Sequence, residues 1–184
     1  MNKIIKTLMF SDLFIMTSFG LIDPILAIFY KENLIGGSIF AAGIASTIFI
    51  LTKSILQLPF SKYVDKFPYK KKVRWLFMGS ILIATVPFIY IFAKNMNIIF
   101  AAQFIHGIGM GLAYPTWLGL WSTNLDKKQE SYEWTLYSTV TGFGTAFTAA
   151  AGAAISEFLG FNYTFILVGL IAITGCLLLL RLRR

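Results

Sequence analysis

The sequence is poor in charge, in acid and in cysteine. Asp, Glu, Lys and Arg make up 13% of its 184 residues, about half the roughly 25% of an ordinary soluble domain, and so low a share excludes a soluble globular fold. The lone cysteine, Cys176, excludes an intramolecular disulfide and a cysteine metal site. Acidic residues number eight against sixteen basic ones, a formal net charge of +8. Most of that excess lies in short segments between apolar runs, where it reads as a membrane orientation signal, with no nucleic-acid partner. There is no phosphate-binding loop, zinc-binding helix or serine nucleophile motif, so the reading is of a protein that is not an enzyme and carries neither cofactor nor metal.

What is abundant is apolar length. Hydrophobic residues make up 57% of the chain and the mean hydropathy is +0.74. Six apolar stretches of at least about 18 residues match the length needed to cross a hydrocarbon core about 30 Å thick. The expected class is therefore an all-α integral membrane protein, one domain over 1–184 with six transmembrane helices at about 4–30, 38–60, 73–92, 98–121, 132–159 and 163–180. Lys3 and Lys6 precede a run too long for a signal-peptide core, so the first stretch is expected to stay as a span.

Thirteen of the sixteen basic residues fall on one side of such a membrane: before the first span, in the second connection (Lys62, Lys66, Lys70, Lys71, Lys72, Arg74), in the fourth (Lys127, Lys128) and at Arg181, Arg183 and Arg184. Lys31 and Lys94 lie opposite and Lys53 lies within the second span. The positive-inside rule then places both termini in the cytoplasm of a multi-pass protein of the plasma or inner membrane. A shift of 91 residues sets Gly20-Leu21-Ile22-Asp23-Pro24 on Gly111-Leu112-Ala113-Tyr114-Pro115, with three of five positions compatible. Two triplets of helices related in this way would form a 3+3 inverted repeat, a construction of many secondary transporters.

Two segments carry a family resemblance. Phe60 to Lys71 resembles the loop between the second and third helices of the major facilitator superfamily, with Asp65, Lys66 and Lys70 at its acidic and basic positions and Ser61, Pro68 and Tyr69 departing from it. Gln103-Phe104-Ile105-His106-Gly107-Ile108-Gly109 is similar to that family's fourth-helix motif, with Gln103 replacing its Arg and His106 its Gln. The resemblance covers the whole chain but only half of the family's usual twelve helices. It implies that the first and fourth spans line a central cavity and that the fifth lies near a second six-helix unit. It also implies that Asp65, with Lys66 and Lys70, gates the cytoplasmic side against that unit.

Counting along the helices at 1.5 Å per residue puts Asp23 about 7 Å and His106 about 5 Å beyond the middle of their spans, in the same direction. Ionisable groups at such depth are costly and commonly functional, so these two, with Gln103 and Tyr114, are the candidates for solute or proton contact. Asp12 and Lys53 are expected to pair inside the membrane. Gly107 and Gly111, and Gly144 and Gly152, form small faces suited to close helix packing, within the fold or, for the second pair, between subunits. Gln57, Trp117 and Tyr137 are further candidates for a polar, aromatic wall.

The reading these features favour is a half-size secondary transporter that moves a small solute across the lipid bilayer by alternating access. It would require a second six-helix subunit, either another copy or a separately encoded partner. The alternative is a non-transporting six-helix membrane subunit, or the N-terminal remnant of a longer transporter.

Overall fold

The computed structural model describes residues 1–183; the expected basic position Arg184 lies outside them. Its elements are α1 (Lys3–Gly20), α2 (Leu26–Asn33), α3 (Ile39–Val64), α4 (Tyr69–Ile91), α5 (Met96–Asn124), α6 (Glu130–Leu159) and α7 (Phe161–Leu178), followed by a 3₁₀ turn (Leu179–Arg183). Among the described residues, four helices are long and apolar enough to cross a membrane: α3, α4, α5, and α7 with its 3₁₀ extension to Leu182.

Side chains mark several of the helix starts. Asn2 accepts from the amides of Ile4 and Ile5, Ser38 from Ala41, and Asn95 from Ile98, each satisfying free donors of a first turn. The single helix expected over 4–30 is instead two. Leu21 to Ile25 form a turn in which Leu21 and Ile22 donate to the carbonyls three residues back. The cause is Pro24, which has no amide hydrogen and whose ring crowds the carbonyl of Gly20 four residues earlier. Its sequence counterpart Pro115 sits inside an uninterrupted α5, so the two Pro motifs are not equivalent in backbone.

The helices pack as an arc, in the order α3, α5, α4, α7, α1, α6, with α2 packing back against α3 and α6 also touching α7. Glycines set the spacing along it. A Cβ on Gly79 would meet the amide of Ala113 at 2.7 Å, and one on Gly109 the carbonyl of Gly79 at 2.9 Å, so α4 and α5 touch backbone to backbone. The core inside the arc holds Ile83, Tyr90, Ile99, Trp121, Phe165 and Val168, all nearly or fully buried. α3 and α6, at the ends, are much less covered. Only 17% of the most apolar stretch of α3 is buried, against 44% in the other three long apolar helices, and Phe143 and Phe147 of α6 are 75% and 77% exposed.

At one end of the bundle Lys3 and Thr7 of α1, Tyr69 of α4 and Arg181 line a common pocket, so both termini lie there. The amino group of Met1 pairs with Asp126 and with Glu133, while Asn2 donates to the carbonyl of Asn124. At the other end Ile35 and Asn95 form an isolated β-bridge between the α2–α3 and α4–α5 connections.

Candidate functional site

Inside the arc two cavities follow one another along α5. The first, about 280 Å³, lies nearer the β-bridge end. Asp23 from the Pro24 turn, Tyr30 of α2, Ser46 of α3, Tyr90 of α4, and Gln103 and His106 of α5 are among its walls. The Pro24 break invalidates counting helical rise through Asp23, yet Asp23 and His106 line the same space. The His106 ring lies between Phe19, at 4.9 Å, and Phe49, at 4.4 Å between ring centres. Such packing fixes its plane while one face of the pocket stays polar.

Gln103 is the hub of a buried cluster that the sequence does not signal. Its amide donates to the hydroxyl of Tyr30 at 3.1 Å and of Tyr90 at 3.0 Å, and those hydroxyls are 3.4 Å apart. Gln103 and both tyrosines are buried. A polar cluster in an apolar bundle is tolerated when its members satisfy one another, and this one ties α2, α4 and α5 together behind Asp23.

The second cavity, about 110 Å³, lies toward the end that holds the termini, and its polar lining includes Asp12, Lys53, Ser80, Tyr114, Trp117 and Tyr137. The expected Asp12–Lys53 ion pair is not made. Asp12 instead accepts a hydrogen bond from the Tyr137 hydroxyl, and the Lys53 ammonium sits over the ring of Tyr114, 5.0 Å from its centre. A phenol and an aromatic face satisfy the two charges separately, so neither needs the other. Trp117, Trp121, Trp134 and Tyr137 form a continuous aromatic cluster beside this cavity.

The glycine pairs divide as packing elements. A Cβ on Gly107 would meet Thr52 at 2.6 Å and one on Gly111 would meet Leu56 at 2.8 Å, both on α3. Gly144 abuts Thr17, and Gly152 abuts the carbonyl of Leu21, both belonging to the α1 segment. Of the two arrangements expected for the α6 glycine pair, packing within the fold or between subunits, the structure has the first, against the α1 segment.

Asp65 caps the C-terminus of α3 through its backbone and is exposed, as are Lys66 and Lys70. Lys70, Lys71, Arg74 and Pro68 line an open basic recess of about 540 Å³. The ion pairs among the described residues are those of Met1, so the Asp65 carboxylate pairs with no neighbouring lysine.

Comparison with known proteins agrees with this architecture. The chain is 26% identical over 142 residues to the uncharacterized transporter YwbF of Bacillus subtilis, covering 76% of this chain and 35% of that protein. It is 26% identical over 137 residues to the proton-coupled antiporter flippase LtaA of Staphylococcus haemolyticus, covering 74% of this chain and 34% of that protein. The chain thus matches about a third of the length of these relatives. Residues 8–184 match the Major Facilitator Superfamily, and with its apolar helices and interior cavities the chain belongs to that family of integral membrane transporters.

Proposed function

We propose that this chain forms one six-span half of a secondary transporter and works against a second six-helix unit, a second copy or a partner, to move a small solute by alternating access. The observation that carries this is the asymmetry of the arc. α3 and α6 expose apolar faces at its two ends, where Phe40, Phe143 and Phe147 are each at least 75% exposed, while charged and polar side chains line cavities inside it. A second bundle against α3 and α6 would enclose both cavities in a central passage. In this reading α1 and α2 together make the first span, the six spans form two triplets of opposite orientation, and both termini are cytoplasmic.

Asp23 and His106 are the proton-sensitive pair of this scheme, and Gln103 and Tyr114 contribute polar contact to the path. Asp65, backed by Lys66 and Lys70, meets the start of α6 in the second unit, where free amides and the helix dipole favour a carboxylate.

The test is the mass of the detergent-purified protein, followed by uptake in proteoliposomes. A transporting assembly of two six-helix units supports the proposal, and a strictly monomeric chain that transports refutes the need for a second unit. Topology is checked separately. Asn33→Cys in a Cys176→Ser background should react with an impermeant thiol reagent from outside the cell, and reaction only from the cytoplasm would overturn the orientation.

A further inference from the structure

The pocket at the end that holds the termini is an open recess of about 450 Å³ built by three elements. Lys3 comes from α1, Tyr69 from the start of α4 and Arg181 from the 3₁₀ turn, while Ile4 and the buried Leu182 supply apolar surface. Two cations from opposite ends of the sequence thus meet on one recess. No acidic residue lines it, and among the described residues no ion pair includes either cation. The Tyr69 hydroxyl makes no hydrogen bond among the described residues, so it is free to donate beside them.

The helix faces that carry these groups run on as exposed apolar surface. Residues three and four apart share a helix face, so Lys3 and Thr7 stand in line with Phe10 and Phe14 on α1. Arg181 follows Leu177, Leu170 and Ile166 at the end of α7. These five apolar residues are between 37% and 54% exposed. The two helices are joined where Ser11 donates to the carbonyl of Gly175 at 2.8 Å, and both stripes lead away from the recess. α7 is long and apolar enough to cross a membrane, so in a bilayer its exposed stripe meets acyl chains. A molecule that covers such a stripe and also reaches the recess is a phospholipid, and the charge of the recess selects among headgroups. A zwitterionic headgroup would bring its own ammonium against Lys3 and Arg181. A net anionic one satisfies both, and a guanidinium matches phosphate oxygens two at a time.

We propose that this recess binds the headgroup of an anionic phospholipid, with Lys3, Arg181 and Tyr69 holding the phosphate and the exposed stripes of α1 and α7 holding the chains. The site lies apart from the two interior cavities and does not depend on the transporter reading. Binding is measured without transport.

The test uses the whole chain purified in detergent, with dioleoyl phosphatidylglycerol as the probe. Dioleoyl phosphatidylcholine is its zwitterionic counterpart, and inorganic phosphate is the anion without chains. Thermal stabilisation gives the apparent affinity, because a ligand that binds the folded state raises its stability. Phosphatidylglycerol should stabilise the protein saturably, and the other two should do so far less. Removing both cations, Lys3→Gln with Arg181→Gln, should raise the apparent Kd for phosphatidylglycerol about tenfold or more, at about fivefold for each charge lost near an anionic headgroup. Removing the same charge elsewhere on this end, Lys71→Gln with Arg74→Gln, should change it less than about twofold, and Arg181→Lys should keep most of the affinity. Equal stabilisation by phosphatidylcholine, equal losses in the two double variants, or unchanged affinity in Lys3→Gln with Arg181→Gln would each overturn the proposal. Inorganic phosphate acting as well as the lipid would overturn it too, in favour of a free anion. If Lys3→Gln with Arg181→Gln does not fold, the comparison of the three ligands and Tyr69→Phe, which should weaken lipid binding, decide it. A chain that binds the lipid and transports nothing would count against the transporter reading alone.

Discussion

Gly152 of α6 lies directly against the carbonyl oxygen of Leu21, at the point where α1 ends. No side chain fits between them. Gly152→Ala should therefore destabilise the fold by about 1–3 kcal/mol, the usual cost of forcing atoms into a packed interior. Gly142, ten residues earlier on α6, has open space where its Cβ would be. Gly142→Ala should be neutral or stabilising by up to about 1 kcal/mol, from helix propensity. Thermal unfolding of both variants in one detergent makes the comparison, and equal effects would contradict the packing.

Removing the hub of the buried hydroxyl cluster should also weaken the fold. Gln103→Met keeps the length of the side chain but leaves the Tyr30 and Tyr90 hydroxyls only each other, at 3.4 Å. The expected loss is about 1–3 kcal/mol, the cost of an unsatisfied buried polar group. Thermal unfolding checks it, and Tyr90→Phe in the Gln103→Met background should then recover part of the loss.

Glu133 is fully buried in the first turn of α6, accepting from the amide of Asp126 at 3.2 Å and lying 3.5 Å from the Met1 amino group. Glu133→Ala should cost about 1–3 kcal/mol by orphaning that amide. The Met1 ammonium is held above its ordinary pKa of 8.0, chiefly by its hydrogen bond to Asp126. Because the folded value is raised, the stabilisation is complete below pH 8 and fades as the pH climbs through the raised value. A melting temperature that falls over this alkaline range in the wild type, and less so in Asp126→Asn, is the expected observation.

Much of the helical architecture is legible because apolar length is a strong signal; that Asp23 and His106 line one cavity is not something the count of helical rise could establish, because the turn at Pro24 interrupts the helix along which it ran. The break after Gly20 is not legible either, although Pro24 is in plain view. A proline inside a transmembrane run can equally leave the helix intact, as Pro59, Pro87 and Pro115 do, and only tertiary support decides. The partner of Asp12 is hidden from the sequence for a similar reason. Charge complementarity selected Lys53, whereas proximity gives Tyr137, on a helix 125 residues away in sequence. Helices apolar on every side, such as α7, offer no polar stripe from which a neighbour could be inferred.

Proton coupling is tested at Asp23 and His106. Asp23→Asn and His106→Gln each keep most of the volume while removing a titrating group. Each should flatten the pH dependence of uptake in proteoliposomes. If both variants keep the wild-type profile, these residues are polar wall groups and nothing more.

For the gate, Asp65→Asn should raise the reactivity of Met110→Cys, which lines the smaller cavity, toward a cytoplasmic thiol reagent in a Cys176→Ser background. A helix-terminus contact of about 0.3–1 kcal/mol corresponds to a change of up to about fivefold. Unchanged reactivity in a protein that transports would leave Asp65 without a gating role.

The β-bridge between the two connections has a mechanical consequence. Ile35 donates its amide to the carbonyl of Lys94 at 3.1 Å and accepts from the amide of Met96 at 3.2 Å, so the start of α3 is strapped to the start of α5. A strap at one end makes that end a pivot. α3 is 26 residues long, a lever of about 39 Å at 1.5 Å per residue, and each degree of swing about the pivot moves its far end by about 0.7 Å. A tilt that scarcely disturbs Ile39 would thus carry Asp65 through several ångströms.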